Sequence, residues 1–116
     1  MFSDVQAIAL GALALISLGS DRPADALVFA DRGLQASAYA SEESILRLTR
    51  VEALRALGSA QEAHAALRDA LERVHRIAAA IDDPELRESY LANIDANART
   101  VSLAADWLGR EGSVSA

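Results

Sequence analysis

Residues 41–71 read SEESILRLTRVEALRALGSAQEAHAALRDAL, and this stretch decides the fold. Apolar residues recur at helical spacing over residues 42–57, and Gly58 follows at a position where glycine commonly ends a helix. A second helical pattern occupies residues 60–81, with its apolar side chains on one face. Each stripe needs a neighbouring helix to cover it. The stretch therefore predicts a helical hairpin over residues 42–81.

The composition favours close-packed helices. Alanine is the commonest residue, aromatic residues make up 4% of the chain, and only two prolines occur, which is typical of helices rather than sheets. A length of 116 residues predicts one domain. We place this domain at residues 1–110, followed by a flexible polar tail at 111–116. We predict an all-α fold of about six helices.

Turn signals place the remaining helices. A first hairpin is expected over residues 4–37, because Gly19-Ser20-Asp21 interrupts an apolar run and Pro23 opens a second helix. Asp83 can cap a fifth helix that has Pro84 at its first position, and the C-terminal helices then fill residues 84–109. We expect Leu86, Tyr90 and Ile94 to line one face, and we expect a stripe of Val101, Ala104, Ala105 and Leu108 to continue it beside Leu103 and Trp107.

The hairpin over residues 42–81 resembles a tetratricopeptide repeat (TPR), a helix-turn-helix unit of about 34 residues. The match rests on Ala63, Leu67 and Ala70 in the second helix and on Gly58 in the turn. The chain departs from the family's pattern at Arg47, Arg50, Val51 and Leu54, and at His75, which replaces the closing proline. The resemblance identifies a degenerate repeat at the end of an array.

A second match covers residues 5–37 through Ala26, Ala30 and Gly33, at a period near 37 residues. The C-terminal segment is similar to the end of repeat arrays in large bacterial signalling proteins. This similarity is carried by Leu86-Arg87-Glu88-Ser89-Tyr90-Leu91, Asn97-Ala98-Arg99 and Leu103-Ala104. The two resemblances imply TPR-like antiparallel hairpins in a right-handed solenoid or bundle, in a cytoplasmic protein of bacterial type.

The first helix, Val5–Ser20, contains no charged residue. It is shorter than the roughly 20 residues of a membrane-spanning helix and follows no basic segment, so we expect neither a membrane span nor a targeting signal. Large apolar residues surround it, which predicts cover on more than one side. A face of this helix that its own hairpin leaves uncovered would be a homodimer interface or the surface against which a preceding repeat packs. Alternatively, the other helices of the chain wrap the first helix completely. The candidate oligomer-interface residues are Val5, Ile8, Leu15, Val28 and Phe29; for the last two, the favoured interpretation is that they are tolerated surface residues.

Charge and residue spacing argue against several function classes. The net charge is −6, and the 11 basic residues, all arginine, form no cluster, which argues against nucleic-acid binding. Cysteine is absent, and His64 and His75 lie about 16 Å apart along one helix, so we expect no metal site. No serine or aspartate stands beside a positioned histidine, and the glycines are dispersed. We therefore expect no catalytic residues and no cofactor.

Arg47 and Arg50 flank an apolar stripe that includes Leu54. In the TPR family the first helix of each repeat lines a groove, so the resemblance makes these three residues candidates for peptide binding. The two guanidinium groups would hold a carboxylate of an acidic peptide. The alternative is a structural role, with the arginine stems along apolar surface and the charged ends in solvent or paired to a nearby carboxylate.

The function that fits these features best is a non-catalytic protein-protein interaction or oligomerisation module. Its partner would be another protein, a peptide, or a second copy of the chain. The competing class is a small-molecule sensor or an enzyme-associated regulatory domain with a pocket inside the bundle. A regulatory tail of a larger signalling protein is a third hypothesis.

Overall fold

The computed structural model describes residues 3–36 and 40–115, with side chains described within 5–36 and 43–108. Over these residues the structure is helical and contains no strand. The helices are α1 (Ser3–Gly19), α2 (Pro23–Ala36), α3 (Ala40–Ala56), α4 (Ala60–Ala79), α5 (Pro84–Ala92) and α6 (Asp95–Ser115). The prediction of an all-α fold with six helices is confirmed.

Several helix bounds differ by one or more residues from the sequence-based expectation. α3 begins two residues before residue 42, and α4 ends two residues before Ile81. α6 continues through residues 111–115, where we predicted a flexible tail. Glycine in this region costs a helix only about 1 kcal/mol per residue and keeps its backbone N–H, so it does not end α6. Residues 37 and 116 lie outside the described part of the chain.

The chain divides into two compact units, Met1–Ala66 and Leu67–Ala116, and α4 runs through the division. In the first unit α1 packs against α2, α2 against α3, and α1 against α3. In the second unit α5 packs against α6. The single domain expected at residues 1–110 stays a prediction.

The turns after α1 and α3 have the same backbone geometry. Asp21 and Gly58 both adopt left-handed conformations, with φ of 60° and 81°. The amide of the next residue donates to a carbonyl five positions earlier: Arg22 to Ser17 at 2.8 Å, and Ser59 to Leu54 at 3.0 Å. This is the Schellman arrangement of a helix C-terminus. The two turns lie 37 residues apart, which matches the period seen in the sequence.

α3, not α1, is the most enclosed helix of the first unit. Its buried residues are Ser44, Leu46, Leu48, Thr49, Val51, Ala53 and Leu54, and they surround most of the helix. In α1 the buried residues are all small: Ala7, Gly11, Ala14 and Ser17. The alternative that the other helices of the chain wrap α1 completely is therefore wrong, and one face of α1 remains uncovered. Its small residues are spaced to face a neighbouring helix closely, and this contact determines which side is inward.

Leu46 fills a hollow made by two glycines. A Cβ atom built on Gly33 of α2 would lie 2.5 Å from Leu46 Cδ2 and 3.0 Å from Leu46 Cδ1. A Cβ atom on Gly11 of α1 would lie 3.7 Å from the same Cδ2 atom. Leu46 is 1% exposed, so its side chain has little room to move aside. The missing side chain at Gly33 allows α2 and α3 to approach each other.

The apolar stripe predicted for α4 is buried over most of its length, at Ala63, Ala66, Leu67, Ala70, Val74 and Ala78. The start of α5 follows the predicted capping chemistry. Asp83 Oδ1 accepts hydrogen bonds from the amides of Glu85 at 2.9 Å and Leu86 at 3.3 Å. Arg87 Nε and Nη2 donate to the carbonyl of Ile81 at 3.0 and 2.7 Å, which ties α5 to the segment that follows α4.

The inward faces predicted for α5 and α6 are partly wrong. Leu86 is 62% exposed, and α5 contains no fully buried residue. In α6 the buried stripe consists of Ala96, Asn97, Thr100, Ala104 and Trp107. It shares Ala104 with the expected stripe and includes the neighbouring Trp107, but it is rotated away from Val101, Ala105 and Leu108. Two hydrogen bonds explain the burial of its polar members. Asn97 Nδ2 donates to the Tyr90 carbonyl at 3.0 Å, and Thr100 Oγ1 donates to the Ala96 carbonyl at 2.7 Å.

We predict opposite effects for the same substitution at the two glycines. Gly33→Ala lowers the free energy of unfolding by about 1–2 kcal/mol, because the overlap with Leu46 outweighs the gain in helix propensity. Gly11→Ala raises it by about 0.5–1 kcal/mol, because the new methyl group reaches an ordinary contact distance. Urea unfolding followed by circular dichroism measures both values. Equal effects of the two variants would contradict the packing described for Leu46.

We predict that Asn97→Asp lowers the free energy of unfolding by about 3 kcal/mol near neutral pH, because it places a buried carboxylate against the Tyr90 carbonyl. Acidification that protonates the new carboxyl group recovers part of the loss, since the neutral acid can donate to that carbonyl. The control is Asn93→Asp, which adds the same charge at an exposed position. Urea unfolding at several pH values measures the free energy of unfolding of both variants. Equal losses with the same pH dependence would contradict the role of Asn97.

Candidate interaction surfaces

The most prominent surface feature of the first unit is the outward side of α1, which we call the outer α1 face. It consists of Val5, Ile8, Ala9, Ala12, Leu13, Leu15 and Ile16, all of which are exposed. The five large side chains among them retain 43–58% of their accessible area. At about 100° per residue they occupy roughly 160° of the helix circumference. A contiguous apolar surface of this kind marks interaction sites more often than plain surface.

This face follows from the residues that α1 turns inward. Because Ala7, Gly11 and Ala14 recur at helical spacing and are buried, most of the large residues between them point outward; Leu10, which lies near Gly33 of α2, is half-buried. The signal was present in the sequence, as a stripe of small residues. It was missed because large apolar residues on all sides suggest complete burial.

The period of 37 residues relates the faces of α1 to those of α3. Each buried residue of α1 has a buried counterpart in α3: Ala7 and Ser44, Gly11 and Leu48, Ala14 and Val51, Ser17 and Leu54. Three exposed residues of the outer α1 face also have buried counterparts: Ala9 and Leu46, Ala12 and Thr49, Ile16 and Ala53. Leu46 reaches Gly11 and Gly33, so this side of α3 packs against the first hairpin. The outer α1 face is the corresponding surface without such cover.

The structure brings three of the five predicted interface residues together. Val5, Ile8 and Leu15 share the outer α1 face. Val28 is 54% exposed on α2, on the side away from its buried Ala26, Ala30 and Gly33. Phe29 is half-buried. An interface role for all five residues stays a prediction, and the geometry groups only the three on α1.

The arginines predicted to bind a peptide both have carboxylate partners within the chain. Arg47 Nε donates to Glu43 Oε1 at 2.8 Å, one helical turn earlier in α3. Arg50 Nε donates to Asp31 Oδ1 of α2 at 2.7 Å. Leu54 is 3% exposed and belongs to the core. These contacts account for all three residues structurally, and their peptide-binding role stays a prediction.

The described part of the chain gives little support for a metal site or a small-molecule pocket. No group of three or more His, Cys, Asp or Glu side chains there could hold a metal ion. An open groove of about 660 Å³ lies between α5 and α6, and its lining includes Pro84, Arg87, Leu91, Val101 and Ser102. A second open depression of about 510 Å³, lined in part by Gln6, Leu10, Arg32 and Gln35, lies between α1 and α2. Both are surface grooves, unlike the enclosed pocket expected of a small-molecule sensor.

None of the described helices is long and apolar enough to cross a membrane.

We predict that Asp31 and Arg50 are energetically coupled across α2 and α3. In a double-mutant cycle with Asp31→Asn and Arg50→Gln, we expect a coupling energy of about 0.5–1 kcal/mol. High salt lowers this energy, because both groups are partly exposed. The control cycle uses the exposed pair Glu72 and Arg76 within α4, whose coupling is expected to be no more than about 0.5 kcal/mol. Urea unfolding supplies the values. Absence of coupling would mean that Asp31 does not hold the Arg50 guanidinium, which would then be available to a ligand.

Comparison with known proteins does not assign the chain to a family. No protein-family model, curated protein or solved structure matches it. The functional argument therefore rests on the geometry of the described residues.

Proposed function

We propose that this chain is a non-catalytic protein-interaction module that binds a helical partner through the outer α1 face. The observation that carries the proposal is the inverted burial of α1, in which small residues face inward while Val5, Ile8 and Ile16 keep more than half of their area exposed. Covering side chains of this size removes apolar area from water, at about 25 cal/mol per Å². Binding of a partner can release this free energy because the face is accessible in the folded chain.

The correspondence with α3 supports a helical partner. The matching side of α3 is covered by a helical hairpin whose glycines receive Leu46. A face with the same residue spacing on α1 suits another helix or hairpin better than an extended peptide, because its residues follow a helical period. The repeated turn geometry at Asp21 and Gly58 supports our wider proposal that the hairpins are degenerate TPR-like repeats. A context in bacterial cytoplasmic signalling is part of this proposal and rests on the sequence resemblance alone.

An interaction module explains more of the surface than a small-molecule sensor does. In the groove between α5 and α6, the guanidinium group of Arg87 already binds the carbonyl of Ile81. A sensor pocket would combine enclosure with several converging polar groups. The outer α1 face has the opposite character, since it is convex, apolar and uncharged.

Photo-crosslinking in cells that naturally produce the chain tests this proposal. Replacing Ile16 with the photoreactive residue p-benzoylphenylalanine places the probe on the outer α1 face, and replacing the exposed Ala65 of α4 provides the control. We expect a discrete crosslinked product from the Ile16 position and none from the Ala65 position, with mass spectrometry identifying the attached protein. Equal products from both positions, or none from either, would contradict a role for this face.

A further inference from the structure

We infer that the partner of the outer α1 face is a second copy of this chain. The two α1 helices lie antiparallel in this arrangement, and a two-fold axis passes beside Ala12. The inference rests on the proposed function, since it names the partner for the same face. Three properties of α1 lead to it: the order of large and small residues, the absence of charge, and the size of the face.

The residue order of α1 is complementary to itself when one copy is reversed. Ala12 lies near the middle of α1 and near the middle of the exposed arc. With Ala12 at the axis, the reversed copy sets Val5 against Gly19 and Ala9 against Leu15, so a large residue meets a small one at both levels. Ile8 meets Ile16 between them. Facing helices pack well when large and small residues alternate across the contact.

A parallel pair lacks this complementarity. It would set each residue against itself, so that Ala9 meets Ala9 and Ala12 meets Ala12, with large pairs on either side. Two adjacent small layers would then leave a wider gap at the centre of the contact than the single Ala12 layer of the antiparallel pair, and gaps of this kind are costly. The antiparallel pair also sets the positive end of each helix dipole beside the negative end of its partner. Steric fit and electrostatics therefore favour the same arrangement.

The charge distribution allows like copies to meet at this face. The chain carries a net charge of −6, so two copies repel each other in general. Residues 5–20 contain no charged residue, and a contact through α1 therefore buries no ionised group. Apolar cores depleted of charge are typical of interfaces between identical subunits.

The size of the face sets the strength of the dimer. α1 contains 17 residues, and half of a cylinder about 25 Å long and 10 Å wide has an area of roughly 400 Å². Two copies therefore bury roughly 800 Å², about half of the roughly 1,600 Å² of a standard specific interface and below the roughly 1,000 Å² that separates stable interfaces from weak, transient ones. The dimer is consequently weak and reversible, with a dissociation constant in the micromolar range.

Sedimentation equilibrium from about 10 µM to about 500 µM, a range that spans this affinity, tests the assembly. The wild-type chain is expected to pass from monomer to dimer across the range. The double variant Ile8→Glu, Leu15→Glu is expected to stay a folded monomer, since both residues are exposed; circular dichroism confirms its fold. Leu86→Glu is the control, because it places one charge at an equally exposed apolar position on α5 and should leave dimerisation unchanged.

Disulfide trapping tests the antiparallel geometry, because the chain has no cysteine of its own. Ala12→Cys should crosslink to itself under mild oxidation, since two residues beside a two-fold axis come within the roughly 7 Å between Cα atoms that a disulfide tolerates. The exposed Ala65→Cys of α4 is the control and should crosslink at least ten-fold more slowly. In a mixture of Ile8→Cys and Ile16→Cys chains, the antiparallel pair gives mainly the mixed dimer. Predominant Ile8→Cys and Ile16→Cys homodimers would overturn the antiparallel arrangement.

A wild-type chain that stays monomeric at the highest concentration would overturn self-association. The same holds if Ala12→Cys crosslinks no faster than Ala65→Cys. A photo-crosslinked product at Ile16 that contains a different protein would, together with a monomeric chain, preserve the proposed function and reject the second copy as the partner. Loss of both the dimer and the photo-crosslinked product would reject the two proposals together.

Discussion

The packing of Leu46 against two glycines is the constraint on which the first unit depends. Leu46 of α3 is almost fully buried, and its methyl groups occupy the space that a side chain on Gly33 would need. Gly11 contributes the other wall, where there is room for a Cβ atom 3.7 Å from Leu46 Cδ2. Because buried side chains are packed about as densely as organic crystals, this contact fixes how α1 and α2 are rotated towards α3. The identity of one large and two minimal residues thus determines the orientation of three helices.

The outer α1 face is a consequence of that rotation. If Gly11 faces Leu46, its neighbours at helical spacing, Ala7 and Ala14, face inward too, and these small side chains contribute little apolar burial. The large aliphatic residues of α1 are then left on the opposite side. The core of the unit is supplied mainly by α3, through Leu46, Leu48, Val51 and Leu54. α1 contributes small side chains to this core, and its large outward side chains keep 43–58% of their area exposed.

Sequence patterns predicted the features that depend on local chemistry. The number of helices, the left-handed residue at Gly58, the cap at Asp83 and the buried stripe of α4 all follow from residues close together in the chain. Features set by contacts between different helices were not accessible in this way. Arg50 finds Asp31 on another helix, and Asn97 is buried because α5 presents the Tyr90 carbonyl to it. The inward side of α1 was also missed, since apolar residues all round the helix give no preferred direction.

The two related turns differ in how far each can stabilise its own helix end. Gly58 adopts its positive φ without steric cost, because glycine has no Cβ atom. Asp21 has a Cβ atom, so its left-handed backbone conformation costs more free energy, even though aspartate tolerates this conformation better than most residues. The first hairpin therefore depends more on its contacts with α3 than on its own turn. Those contacts use the inner side of α1 and the glycine of α2, whereas Val5, Ile8 and Ile16 stay more than half exposed. The large side chains of the outer α1 face keep 43–58% of their area accessible in the folded chain, which supports the proposal that this face binds a partner.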